Sequence, residues 1–371
     1  MPPVGYRVYR LTGGSDSTAG ITTGPGFPEN RFFRVEFDAG TGLLTRILDK
    51  ESRREVLAPG GKGNLLQVFK DTPRDWDAWN IDSDFEKIKT DLTDAEKVEI
   101  VESGPVRTVL RVTRKHEGST FVQDTVLYDK IRRIDFPTRV SWHAEHKLLK
   151  VAFPVNVDAD RATYEIPYAT VSRSVKPKTD AEKAKFEVPA QKWADLSARD
   201  FGVSLLNDCK YGYDIRGNLM RLSLLRAPKW PDPEADQGDH SFTYSLYPHA
   251  GDWRKGGTVR AGYDLNQPLL SLVLTQSAKG ELPPEHSFFS ASSPNVVLGA
   301  MKKAEDSDGL IIRLYEATGS KANATITLPA KAKSACETDL LENSIKDVPA
   351  EGNRLKLSFG AYEIKTVKVA F

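Results

Sequence analysis

The chain of 371 residues carries 52 basic and 51 acidic side chains, so its formal net charge is +1. This balance excludes a polybasic nucleic-acid surface and an acidic tail as organising features. Hydrophobic residues make up 39% and charged residues 28%, a composition typical of a globular protein. The length predicts two or three domains, or one unusually large all-β unit.

The same sequence contains no sign of export or of membrane insertion. No apolar run approaches the ~20 residues needed to cross a bilayer, and the N-terminus lacks the apolar core of a secretory signal. The only cysteines are Cys209 and Cys336, which are too few for a disulfide framework and suit a reducing compartment. We therefore predict a cytoplasmic protein without a membrane or nucleic-acid partner.

In chain order, apolar residues recur with a period of two, which is typical of half-buried strands. Alternating runs over 33–37 and 43–48 are joined by a glycine-containing turn, which predicts a β-hairpin. Further alternating runs, separated by turn residues, follow at 106–112, 134–142, 149–155, 242–246, 310–314 and 355–359. No amphipathic helical pattern extends over three turns, although single turns could form at 94–98 and 179–185. The pattern predicts an all-β sandwich.

Two polar stretches predict long loops. The first, 172–186, is rich in Lys, Ser, Thr and Ala, and the second, 227–240, carries three prolines and four acids. Prolines at this density exclude a central strand, and a long loop in a compact domain is usually functional or mobile. We predict a leading strand and linker over 1–24, a large sandwich over 25–284 and a small C-terminal β domain over 285–371.

Familiar catalytic patterns are missing from the sequence. His143 and His146 flank Glu145 at a spacing that suits one face of a helix, but this stretch lies between two predicted strands. A surface histidine cluster is the alternative to a metal site there. The sequence has no Gly-x-Ser-x-Gly elbow for a serine hydrolase. We therefore assign no catalytic residue and no metal ligand to this chain.

Segment 69–82 is more informative, because it contains two tryptophans and four acids within fourteen residues. Sugars bind to such surfaces, since their C–H faces stack on indole rings while carboxylates accept hydrogen bonds from their hydroxyls. The alternative is that Trp76 and Trp79 are core residues beneath their own loop. Segments 210–217 and 236–240 add tyrosines, an amide and an imidazole on predicted loops. The residues alone predict a β protein whose loops suit carbohydrate.

Several long runs resemble the C-terminal half of glycoside hydrolase family 38 α-mannosidases, of the cytoplasmic and bacterial branch. These runs are 30–57, 63–82, 164–174, 201–253, 295–319 and the ending FGAYEIKTVKVAF. They cover nearly the whole chain, and the run 201–253 is long enough to be specific. The resemblance implies a galactose mutarotase-like β-supersandwich followed by a smaller C-terminal β-sandwich unit.

The resemblance also implies a place in glycoside hydrolysis and mannose metabolism. Members of the family carry zinc and an aspartate nucleophile in an N-terminal catalytic domain, ahead of a helical bundle and the β-sandwiches. This chain begins with a run that resembles the strand after the bundle, so we expect no cofactor in it and no hydrolysis by it alone. The implied partners are an α-mannoside and a family 38 catalytic domain, in cis or as a separate subunit.

In the family, loops of the β region lean over the catalytic pocket, which implies candidate substrate contacts in this chain. These candidates are Trp76, Asp77, Trp79, Asp236, Gln237 and His240, and their role would be to position and shield the sugar. Two other functions stay open. One is a stand-alone carbohydrate-binding or subunit-assembly module. The other is an aldose-epimerase-like enzyme that uses His143, Glu145 and His146, although fold analogy alone does not establish chemistry.

Overall fold

The structure is a computed structural model, and it describes residues 3–10, 20–24, 26–274 and 280–371. Of these described residues, 51% lie in strands and 6% in helices. The prediction of an all-β protein is therefore confirmed, since an average globular domain is about one third helical.

Most of the strands are short. In chain order they are β1 (Gly5–Arg7), β2 (Thr22–Gly24), β3 (Phe27–Glu29), β4 (Phe33–Phe37), β5 (Leu44–Asp49), β6 (Arg54–Glu55), β7 (Leu65–Lys70), β8 (Lys89–Asp91), β9 (Lys97–Ser103), β10 (Arg107–His116), β11 (Ser119–Tyr128), β12 (Ile134–Trp142), β13 (Lys147–Pro154), β14 (Arg161–Ile166), β15 (Ala169–Ser174), β16 (Val188–Pro189), β17 (Trp193–Ser197), β18 (Phe201–Asn207), β19 (Gly212–Arg216), β20 (Leu219–Arg226), β21 (Gly238–Ala250), β22 (Glu285–Ser287), β23 (Ser290–Ala291), β24 (Val296–Lys303), β25 (Leu310–Glu316), β26 (Ala322–Thr327), β27 (Ser334–Thr338), β28 (Ser344–Asp347), β29 (Ala350–Glu351), β30 (Arg354–Phe359) and β31 (Ile364–Ala370). The helical elements are a 3₁₀ turn (Phe85–Lys87), α1 (Asp180–Lys183), α2 (Trp253–Gly256) and α3 (Thr258–Asn266).

The described residues form two compact units. The larger lies within 16–166 and 170–268, and the smaller lies within 1–15, 167–169 and 269–371. The domain boundaries predicted from the sequence stay predictions, because these units are defined by contacts alone.

The larger unit contains three sheets. Nine strands pair in the order β15-β14-β17-β18-β21-β12-β11-β10-β9, six in the order β16-β19-β20-β13-β7-β8, and five in the order β2-β3-β4-β5-β6. The inner faces of the two largest sheets meet, because the ring of Phe153 on β13 lies 5.4 Å from that of Phe136 on β12. Tyr244 on β21 stacks on Phe136 at 5.3 Å. These rings belong to one continuous apolar core, which is the arrangement of a β-sandwich.

The smaller unit has its own core between two further sheets. Four strands pair in the order β23-β26-β30-β29, and five pair in the order β24-β25-β31-β27-β28. Alternate residues of these strands, among them Ile312, Ile326, Leu355 and Val367, are almost completely buried. Strands β1 and β22 form a separate two-stranded ladder.

The structure tests the predicted single turns at 94–98 and 179–185 and the predicted loop 227–240. The single turn expected near 179–185 forms as α1, where Thr179 accepts a hydrogen bond from the Glu182 amide in a capping box. The turn suggested at 94–98 is wrong, because β9 begins at Lys97 and pairs with β10. Loop 227–240 ends earlier than expected, since β21 begins at Gly238.

Candidate functional site

Three loops leave the same end of the six-stranded sheet. There β7 ends at Lys70, which pairs with Lys147 at the start of β13. Arg226, the last residue of β20, lies beside the neighbouring residue Leu148. The segments that follow β7, precede β13 and follow β20 are therefore brought to one edge by strand pairing. They contain most of the residues that the sequence singled out.

An exposed cluster of three tryptophans lies on these loops. The rings of Trp76 and Trp79 are 6.4 Å apart, and those of Trp79 and Trp230 are 5.5 Å apart, both edge to face. The exposed fractions of Trp76, Trp79 and Trp230 are 66%, 66% and 55%. The alternative that Trp76 and Trp79 are core residues is therefore wrong. We call these three residues the tryptophan cluster.

The backbone of Trp76 is held in an uncommon conformation. Its φ is 63°, in the left-handed region that non-glycine residues rarely adopt. The carbonyl of Trp76 accepts hydrogen bonds from the amides of Trp79 and Asn80, each at 2.8 Å. Such strain persists only where the surroundings fix it, and it is frequent at functional sites.

Asp77 joins the two loops of the tryptophan cluster. Its Oδ2 accepts hydrogen bonds from the backbone amides of Lys229, at 2.7 Å, and of Trp230, at 3.1 Å. Its Oδ1 is buried, has no hydrogen-bond partner, and lies 3.7 Å from Nδ1 of His146. The carboxylate thus holds Trp230 beside Trp79, and its contact with substrate stays a prediction.

Arg226 stabilises the loop of Trp76 and Trp79 by hydrogen bonds to its backbone. Its guanidinium donates to the carbonyls of Asp77 at 2.9 Å, Ala78 at 3.0 Å and Asn80 at 2.8 Å. Its Nε also donates to Oδ2 of Asp71 at 2.7 Å. Burial raises the pKa of Asp71, and the charge of Arg226 opposes that rise. Sequence reasoning missed Arg226, because one arginine at the end of a strand has no distinctive pattern.

The second loop is fastened to the turn before β13. Nε2 of Gln237 donates to the Ala144 carbonyl at 2.8 Å, and Nζ of Lys229 lies 2.9 Å from Oε1 of Glu145. His240, which lies within β21, has its Nε2 2.8 Å from the Asp236 carbonyl. The loop that contains Asp236 is therefore held at the same edge as the loop of Trp76 and Trp79, with the Gln237 amide engaged inside the protein. Sugar contacts of Asp236, Gln237 and His240 stay predictions.

The turn 143–146, which contains His143, Glu145 and His146, does not form a recognisable catalytic group. Nε2 of His143 lies 3.1 Å from the Ser141 hydroxyl, whereas His146 faces Asp77 and Glu145 faces Lys229. Within the described ranges, no group of three or more His, Cys, Asp or Glu side chains is placed to hold a metal ion. The described residues therefore do not fit a zinc site.

An open cleft of about 280 Å³ lies along the segment that follows β7. Its lining includes Asp71, Arg74, Asp82 and Phe85. Pockets that enclose drug-sized ligands are larger, about 300–1,000 Å³. None of the three tryptophans lines this cleft.

Replacing Arg226 with methionine is expected to lower the free energy of unfolding by about 3 kcal/mol, because it leaves the buried Asp71 carboxylate unpaired. The loop of Trp76 and Trp79 loses its three carbonyl contacts at the same time. Urea unfolding measures the first effect, and limited proteolysis of loop 71–84 measures the second. The control is Arg74→Met in the same segment, whose side chain is 85% exposed. Equal losses in both variants would contradict the supporting role of Arg226.

Comparisons with known proteins agree with this architecture. Residues 29–234 match the model of the "Glycosyl hydrolases family 38 C-terminal domain". Residues 295–367 match that of the "Glycosyl hydrolases family 38 C-terminal beta sandwich domain". No helix in the described part of the chain is long and apolar enough to cross a membrane.

Individual relatives are similar over nearly the whole chain. Alpha-mannosidase 2C1 of Homo sapiens is 40% identical over 343 residues, which are 91% of this chain and 33% of that protein. Alpha-mannosidase G of Dictyostelium discoideum is 33% identical over 393 residues, which are 99% of this chain and 36% of that protein. The chain thus spans about a third of the length of these relatives.

Among solved structures, an alpha-mannosidase from Enterococcus faecalis V583 has a TM-score of 0.76 at 17% identity, over 97% of this chain and 43% of that one. This similarity shows a shared fold. The predicted all-β architecture with a smaller C-terminal β-sandwich unit is confirmed, and the galactose mutarotase-like form of the larger unit stays a prediction.

Proposed function

This chain belongs to glycosyl hydrolase family 38, and we propose that it forms the C-terminal β region of an α-mannosidase, where it contacts the α-mannoside substrate. The observation that supports a contact with sugar is the exposed tryptophan cluster. Its loops are nevertheless fixed by hydrogen bonds of Arg226 and Asp77. The zinc ion and the nucleophile would belong to an N-terminal catalytic domain, in cis or as a separate subunit. No step of the reaction is assigned to a residue of this chain.

The cluster suits one sugar ring in contact with a catalytic centre. The edge-to-face packing of Trp76, Trp79 and Trp230 leaves indole surface open to solvent, and the C–H face of a pyranose stacks on such a surface. The exposed carboxylate of Asp236, on the adjoining loop, is an acceptor for sugar hydroxyls. These groups would orient the sugar and exclude water from one side of it.

We also propose that the protein acts in the cytoplasm. Its two cysteines, Cys209 and Cys336, are both free thiols, which suits a reducing compartment.

Replacing Trp79 with alanine is expected to weaken the binding of methyl α-mannoside about fivefold to tenfold, because the central ring of the cluster is lost. Thermal stability should hardly change, since the side chain is 66% exposed. Isothermal titration calorimetry measures the affinity, and Trp230→Ala should have a similar effect. The matched control is Tyr211→Ala, an aromatic residue that is 55% exposed and lies outside the cluster. A loss of stability without a loss of affinity would contradict the proposed contact.

The assembly part of the proposal is tested by reconstitution. The purified chain alone should contain no stoichiometric zinc and should not hydrolyse an aryl α-mannoside. Adding a family 38 catalytic domain should then yield turnover that depends on Trp79. Zinc near one equivalent together with turnover by the chain alone would contradict the placement of the catalytic centre.

A stand-alone carbohydrate-binding or subunit-assembly module is the second candidate, because the tryptophan cluster would serve it equally well. The reconstitution separates the two functions. Sugar binding that persists while no catalytic domain gains activity would favour the module.

A further inference from the structure

A second cavity in the larger unit is rich in positive charge, and it shares no lining residue with the tryptophan cluster. It has a volume of about 110 Å³ and lies among β14, β15, β19 and the segment around α1. Its lining includes the cations Arg161, Arg173, Lys185 and Arg216. We propose that this cavity binds a phosphate group, either as free phosphate or as the phosphate end of a small phosphorylated molecule.

The two acidic residues of the cavity offset only part of its positive charge. Asp214 is occupied by two buried cations, Lys150 at 2.8 Å and Arg221 at 2.6 Å. Glu182 accepts hydrogen bonds from the backbone amides of Lys178 at 2.8 Å and Thr179 at 3.2 Å. Because Asp214 is neutralised by cations that do not line the cavity, four cationic residues and Glu182 leave the lining with a net positive charge.

Arg173 provides the most direct sign of a missing partner. Its Nη1 is buried and has no hydrogen-bond partner, and its guanidinium lies 4.7 Å from the centroid of the Tyr164 ring. Burial lowers the pKa of Arg173. A buried unpaired donor costs free energy, and an anion in the cavity would remove that cost.

Two hydroxyls add neutral donors to the cavity. Oγ of Ser172 accepts a hydrogen bond from Nε of Arg161 at 2.9 Å, and Oγ of Ser174 accepts one from the Lys176 amide at 3.2 Å. Because each oxygen accepts in these contacts, its own hydrogen remains to be donated. Guanidinium groups together with hydroxyls match the several acceptor oxygens of a phosphate.

The size of the cavity limits what it can enclose. A water molecule takes about 30 Å³ of liquid volume, so a cavity of about 110 Å³ holds only a few groups of that size. A phosphate group fits this space.

Calorimetric titration of the full chain tests the proposal at constant ionic strength, with inorganic phosphate, glucose 6-phosphate and glucose as probes. We expect saturable binding of the phosphate probes and none of glucose. Similar affinities for the two phosphate probes indicate free phosphate as the ligand. An affinity about tenfold higher for glucose 6-phosphate indicates a phosphorylated small molecule.

The variants Arg173→Gln and Arg216→Gln should each weaken phosphate binding about tenfold, since each removes charged donors from the cavity. Arg216→Gln keeps the test valid if Arg173→Gln does not fold. The matched control is Arg107→Gln, which removes an exposed guanidinium paired with Glu102 on another strand. No saturable binding up to about 20 mM phosphate, a concentration well above a millimolar dissociation constant, would overturn the proposal. So would equal losses in the control and the cavity variants.

Discussion

Replacing Asp214 with alanine is expected to lower the free energy of unfolding by about 3 kcal/mol, because Lys150 and Arg221 lose their shared buried partner and keep only Glu187 and Glu86, respectively. Oδ2 of Asp214 accepts from Nζ of Lys150 at 2.8 Å, and Oδ1 accepts from Nε of Arg221 at 2.6 Å. The side chains of Lys150, Asp214 and Arg221 are 0%, 1% and 4% exposed. Urea unfolding at neutral pH measures the loss.

The control for Asp214 is Glu102→Ala, which breaks an exposed pair. Glu102 lies 2.9 Å from Arg107, and both side chains are more than 40% exposed. Pairs of this kind contribute at most about 1 kcal/mol. If Asp214→Ala were no more costly than Glu102→Ala, the buried network would not stabilise the larger unit.

Replacing Glu316 with alanine is expected to destabilise the smaller unit by about 3–5 kcal/mol, because several backbone amides lose their acceptor. Glu316 ends β25 and is fully buried. Its carboxylate accepts from the amides of Thr318 at 2.9 Å, Gly319 at 2.7 Å, Ser320 at 3.0 Å and Tyr362 at 3.1 Å. Glu351→Ala, at an exposed pair with Lys356, is the matched control.

Glu316 also makes the smaller unit sensitive to acid. Burial by itself would raise the pKa of Glu316, but the donated hydrogen bonds outweigh burial and hold that pKa below its ordinary value of 4.5. The unfolded chain therefore binds the proton more tightly than the folded chain. Its contribution to stability is complete above about pH 4.5 and is lost as the pH falls through the lowered pKa. This acid-dependent loss should be smaller in Glu316→Gln, and an unchanged pH profile would contradict the assignment.

The strands were predictable because sandwich sheets bury alternate residues. The predicted strand 134–142 coincides with β12, since its apolar inward residues all belong to the core. Helix α3 was not predicted, because it is only nine residues long and its start depends on Gly257, whose φ is 71°. The order of the strands within the sheets could not be predicted either, since β12 pairs with β21, which lies about a hundred residues away in the sequence.

The candidate site was predictable only in part. The exposure of Trp76 and Trp79 agrees with the carbohydrate interpretation of their aromatic and acidic segment. Trp230 was not predicted to join them, because its contact with Trp79 links loops that lie about 150 positions apart. The sequence also does not indicate which carboxylates accept hydrogen bonds from the protein itself. Asp77 is one of them, because its Oδ2 accepts from the backbone amides of Lys229 and Trp230.

The hydrogen bonds of Arg226 to the loop of Trp76 and Trp79 do not depend on the side chains of that loop. The guanidinium binds the carbonyl oxygens of residues 77, 78 and 80, and a carbonyl is present whatever the side chain. Substitutions at positions 78 and 79 therefore leave the support of the loop intact while altering what it presents to solvent. This edge of the sandwich is suited to diversification: a library randomised at these two positions would sample new ligand preferences on a constant backbone, both in the laboratory and over evolutionary time.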